Sequence, residues 1–191
     1  MLLTSKENIM NAKIVRDGDE WPSTRGIADK IKNWEVEKKV ILPEDYKRFL
    51  TKYNGGHIYP LLFKSPVPEE LWGAPDDDDV IFDPVFDWDY AIERSCDNFN
   101  HARRPKSSLP VGSDPGGLEV VISLEQKSLG KVYLIHFGVG PDDEEPVMRA
   151  YLLANSFREF VFEKLYENAD RDGYDYWYRP GIEQHSVDLE F

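Results

Sequence analysis

ILPEDYKRFLTKYNGG (residues 41–56) is the stretch from which the rest of the chain can be read. Pro43 suits the first position of a helix, where its missing N–H costs nothing. Glu44 and Asp45 then stand at the positive end of the helix dipole. Tyr46, Phe49, Leu50 and Tyr53 recur at i, i+3, i+4 and i+7 and share one buried face, while Lys47, Arg48 and Lys52 face water. Asn54-Gly55-Gly56 ends the helix, because glycine accepts the left-handed backbone of a C-cap.

Upstream, Ser23 or Thr24 can cap a first helix whose stripe is Ile27, Ile31 and Trp34. Residues 1–22 read as a polar lead-in, partly disordered or loosely packed. Downstream, His57 to Phe63 reads as extended, and Pro66, Pro68 and Pro75 break up a loop. Val80 to Phe86 holds a short strand interrupted by Pro84, and a helix follows Asp87 with Trp88, Ala91, Ile92 and Phe99 on one side. Arg103 to Lys106 form a basic turn. A strand around Leu109 ends in the turn Gly112–Gly117. Leu118, Val120, Ile122 and Leu124 alternate with Glu119, Val121 and Ser123, as in a half-buried strand. After a loop at 125–130, Val132 and Leu134 face one way and Tyr133, Ile135 and Phe137 the other, so the two strands read as an antiparallel pair. Val147 to Leu153 is a third strand beyond the acidic loop 141–146. Asn155 or Ser156 caps a last helix with Phe157, Phe160, Val161, Lys164 and Leu165 inward. The tail at Tyr174–Pro180 is too aromatic to be solvated and is expected to pack back on the body. This order predicts an α+β fold: a mainly antiparallel sheet, with N-terminal helices and a C-terminal helix packed on it.

The chain has 191 residues, a formal net charge of −13 and a single cysteine, Cys96. Such acidity argues against nucleic acid and anionic membranes as direct partners and favours basic proteins. One cysteine excludes an intramolecular disulfide and fits a reducing cytoplasm. No apolar run approaches the length of a membrane helix, and no signal peptide is evident.

The quoted segment resembles the signature of the SUKH superfamily, closest to its Smi/Knr branch: Leu-Pro, an acidic residue, Tyr, a Phe-Leu pair, then Asn-Gly-Gly. Pro110, Gly112, Asp114, Gly116 and Gly117 match a second block. Gly130, Val132 and Tyr133 match a third, and Ala154, Ser156, Phe157 and Phe160 a fourth. The resemblance implies a compact α+β domain and runs over about 21–165; the chain reads as a single domain over 1–191 that departs from the family pattern in an acidic insertion at 66–104 and a C-terminal extension at 166–191. It also implies a protein-binding role. Bacterial members are mostly immunity proteins that block polymorphic toxins, often nucleases, and the eukaryotic branch is implicated in signalling and cell-wall regulation. No catalytic residue is established for the family.

The negative charge is regional. Glu69 to Asp97 carry eleven acidic residues and one basic one, whereas residues 1–60 carry nine acidic and eleven basic. Aromatic anchors among carboxylates suit a surface that docks a basic protein. The candidate partner-binding residues are Trp72, Asp76, Asp77, Asp78, Asp79, Asp83, Asp87, Trp88 and Asp89, with Glu144 and Glu145 of the second acidic loop. Asp76 to Asp79 lack the alternating spacing of a calcium loop. His57, His101, His136 and His185 show no metal-ligand spacing with one another or with Cys96, and no nucleophile or phosphate-loop motif occurs. The sequence therefore predicts no enzyme activity, no metal and no cofactor. The expected partner is a basic toxin, a nuclease being one case, met by a monomer or weak homodimer. A regulatory or scaffold module is the alternative.

Overall fold

The computed structural model describes residues 12–15, 22–72, 78–96, 107–138, 147–168 and 186–191. Helix α1 (Ile27–Lys38) buries Ile27 and Ile31, with Trp34 partly covered. Gly26, at φ 77°, stands before it, while the Ser23 hydroxyl accepts from Arg25 N–H one turn outside. Helix α2 (Glu44–Lys52) has Pro43 at its N-cap and buries Tyr46, Phe49 and Leu50 completely. Glu35 joins the two helices: its carboxylate accepts from Leu42 N–H at 2.7 Å and pairs with Lys47 at 2.8 Å.

Strands β1 (Lys13–Val15), β2 (His57–Tyr59) and β9 (Ser186–Asp188) form a small sheet in the order β2-β1-β9. Strands β3 (Leu62–Lys64) and β4 (Asp79–Ile81) form a second, and the short helix α3 (Glu69–Trp72) lies between them in sequence. Helix α4 (Trp88–Cys96) follows. The main sheet is an antiparallel meander of β5 (Ser108–Ser113), β6 (Glu119–Ser123), β7 (Val132–Gly138) and β8 (Val147–Ala154). The chain is α+β with antiparallel sheets, as its sequence predicts.

The core lies on the face of this sheet that carries Leu109, Val111, Val120, Ile122, Val132 and Leu134, where the aromatic residues of α2 and of the last helix also belong. Phe157 stands edge-to-face on Tyr46 and Phe49, with ring centroids 4.9 and 5.1 Å apart. Each such ring contributes roughly 1.5–3 kcal/mol by leaving water.

Several local expectations are corrected. The lead-in is not loose where it is described: Ile14 is fully buried and pairs with Ile58 on one side and Val187 on the other. Strand β6 is buried at all five positions. On its second face Glu119 meets Arg94 of α4 at 2.5 Å. Ser156, the predicted cap, accepts from Glu159 N–H at 3.0 Å. The helix it starts is only α5 (Phe157–Glu159), which widens into a π-helical turn, Phe160–Lys164. Phe157, Phe160, Val161 and Leu165 are buried, but Lys164 is exposed and pairs with Glu159 at 3.5 Å, since an ammonium is costly to bury. Tyr174–Pro180 and Arg103–Lys106 lie outside the described residues. The last six residues do return to the body, with Leu189 buried and the Phe191 ring 5.7 Å from Phe49.

Candidate binding surface

The signature turn positions the acidic region. Asn54 takes φ 55°, and its side-chain oxygen accepts from Trp88 N–H at 2.9 Å while its amide donates to Ser23 O at 3.0 Å. Gly55, at φ 92°, passes so close to the next segment that a Cβ there would lie 2.6 Å from Asp87 N. Gly56 and Val85 exchange backbone hydrogen bonds at 3.0 and 2.9 Å. Asn-Gly-Gly is thus both a helix stop and the seat on which Val85–Trp88 rests. Gly112 does the same from the main sheet, where a Cβ would meet the Phe82 ring at 2.4 Å.

Residues 78–96 are accordingly built into the fold, with Val80, Phe82, Val85, Phe86, Trp88 and Ala91 in the core. Many of the predicted docking residues have internal roles there. Trp88 is only 3% exposed and stands edge-to-face on Trp34, 5.4 Å away, so it is a core ring and not a free anchor. Asp83 is buried and lies 2.5 Å from His57 Nδ1. Asp79 is buried and accepts from Lys64 at 2.6 Å, Asn168 at 2.9 Å and the Tyr166 hydroxyl. Asp87 caps α4, accepting from Tyr90 N–H at 2.8 Å. Asp78 pairs with Lys64, and Asp89 with Lys30 at 2.7 Å; both remain at the surface. Asp76, Asp77, Glu144 and Glu145 fall outside the described residues, as does the side chain of Trp72.

Burial raises the pKa of Asp79, but hydrogen bonds from Lys64, Tyr166 and Asn168 outweigh it and hold the carboxyl at about 2. Tyr166 is pushed up to about 12 by burial and by the adjacent Asp79. This cluster, with the backbone bridge between Leu62 and Tyr166, fastens the chain beyond the last helix to β3 and β4. His136 is buried on β7, where desolvation and then the Arg149 charge lower its pKa. Among the described residues, no group of three or more His, Cys, Asp or Glu could hold a metal ion, and no helix is long and apolar enough to cross a membrane.

Within the described part of the acidic segment, the outward side of α4 stays exposed. Asp89, Tyr90 and Glu93 are exposed, Tyr90 by 44%, with its ring held edge-on by Phe86 at 4.8 Å. Glu93 has no cation partner among the described residues, nor do Glu69 and Glu70 on α3. Tyr90, Glu93, Arg94 and Cys96 line a concavity of about 500 Å³. Tyr90 and Glu93 were not among the predicted residues, yet the helical period shows them: if Trp88, Ala91 and Ile92 turn inward, positions 90 and 93 turn outward.

The SMI1 / KNR4 family (SUKH-1) profile matches residues 28–163. The chain belongs to this family. Within the SMI1/KNR4 match lie α1 from its second residue, the signature helix, the acidic segment and the whole main sheet, whereas β1, β9 and the Tyr166–Asn168 part of the clasp lie outside it. The chain is also similar to the SPbeta prophage-derived uncharacterized protein YokK of Bacillus subtilis (strain 168), being 26% identical over 169 residues, which cover 82% of this chain and 83% of that protein.

Proposed function

We propose that this chain is an immunity protein that binds and neutralises a basic protein toxin, a nuclease being the case its charge suits best. The observation that carries the reading is the outward face of α4, where the exposed Tyr90 ring stands beside Glu93, a carboxylate with no cation partner among the described residues, at the edge of a concavity. A net charge of −13 attracts a basic partner and raises its association rate, by 10- to 1,000-fold in strongly steered pairs. A rigid tyrosine supplies contact area at little entropic cost, which slows dissociation. Carboxylates held in such an array compete with nucleic-acid phosphates for the same lysines and arginines. Family membership supports a binding role, and similarity to a prophage-derived protein fits a chain that serves in conflict between genomes.

Co-expression tests the reading. A toxin domain encoded beside this gene is expected to arrest growth alone and to be harmless, in a stable complex, when this chain is present. Arrest that persists despite soluble chain would overturn the proposal.

A further inference from the structure

The two edges of the main sheet are treated differently. Along β5 the chain folds back over the edge: Asp83 N–H donates to Ser113 O and Phe86 N–H to Val111 O, both at 2.9 Å, and Val85 bridges to Gly112. Pro84 sits in that covering segment and offers no N–H. At the other edge, β8 runs for eight residues and pairs with β7 alone among the described strands. Few of the devices that usually blunt an edge act on β8 among the described residues. VMRAYLLA contains no Pro, Lys, Asp or Glu, and its one bulge falls at Leu153, after the stretch 147–152, where the register shifts between Val132 and Tyr133. Arg149, its one charge, turns back onto Gly138 O at 3.3 Å and Val147 O at 3.4 Å. Val147 and Leu152 are 43% and 47% exposed, and Ala150 is exposed between them.

We propose that β8 is a docking strand, to which an extended segment of a basic partner protein adds as a fifth strand, with apolar side chains at alternate positions against Ala150 and Leu152. Main-chain hydrogen bonds would supply the pairing and the alternation its register. Charge selects the occupant. A second copy would set −13 against −13 across a strand whose only charge is Arg149, whereas a segment rich in Lys and Arg is drawn in by the same field. For the class of partner this rests on the function proposed above; it adds where the partner's backbone lies.

Two synthetic octapeptides provide the probe, one alternating Val and Thr with Lys and its counterpart with Glu, titrated into the isotope-labelled full chain and followed by NMR. The lysine peptide is expected to shift the amide signals of residues 147–152 and to slow their hydrogen exchange roughly tenfold. The glutamate peptide is expected to bind at least about tenfold more weakly. Leu152→Lys and Ala150→Lys, both at exposed positions, are expected to abolish the response while leaving the remaining spectrum unchanged. Shifts confined to α4, equal binding of both peptides, or self-association of the free chain that Leu152→Lys removes would each overturn the proposal. Failure of the immunity reading would leave the peptide result untouched. A toxin complex that Leu152→Lys does not weaken would overturn the docking strand alone.

Discussion

Asp79 and Tyr46 show two opposite fates of a buried polar group. Asp79 is saturated with donors, and its folded pKa of about 2 lies below the ordinary value near 4. A depressed carboxyl pKa contributes stability that is fully present above about pH 4 and is lost as pH falls through about 2. Urea midpoints measured from pH 5 to pH 2 should therefore fall for the native chain. Asp79→Asn should be about 1–3 kcal/mol less stable at pH 5 and show a shallower fall. Tyr46, by contrast, has a fully buried hydroxyl with no hydrogen-bond partner among the described residues, and desolvation raises its pKa strongly. Its ring carries the packing. Tyr46→Phe should leave stability unchanged or raise it by about 1 kcal/mol in the same denaturation assay. A loss of more than that would reveal a partner for the hydroxyl.

Among the elements, α2 and the main-sheet strands were legible because their information is local: one turn of periodicity, one cap, one alternation. Trp88, Asp79 and Asp83 misled for the opposite reason. A run of carboxylates and aromatics looks the same in sequence whether it faces solvent or is stapled inward, and the staples here are distant: Asn54, His57 and Tyr166. Strands β1 and β9 were illegible because three residues make no pattern, and each pairs with a segment far along the chain. The Asn-Gly-Gly seat was half legible: the turn could be read, but the close approach to Asp87 could not. Gly55→Ala combines a left-handed backbone with a contact that has no room for a methyl. It should cost about 2 kcal/mol or more and lower the thermal midpoint, whereas Gly117→Ala, with open space around it, should cost less.

Across the whole molecule, strand β1 and the last six residues are joined to the family core. Phe191 stacks among Phe49, Phe157 and Phe162, and Tyr53 hydroxyl links Asp188 O and Glu190 N. Removing 186–191 uncovers that aromatic cluster and should cost about 2–4 kcal/mol by urea unfolding. With that frame fixed, acidity divides into two kinds. Buried carboxylates hold the fold, so reversing Asp79 or Asp83 would report on folding. Surface carboxylates on α4, Asp89 and Glu93, are the ones the proposed docking would use. The rate of association with the toxin, measured by stopped flow from about 0.05 to 0.5 M salt, tests this most directly. A steep fall with salt is expected for the native chain, and for Asp89→Lys with Glu93→Lys a rate at least about tenfold lower at low salt with a flatter dependence. A rate indifferent both to salt and to these reversals would contradict it.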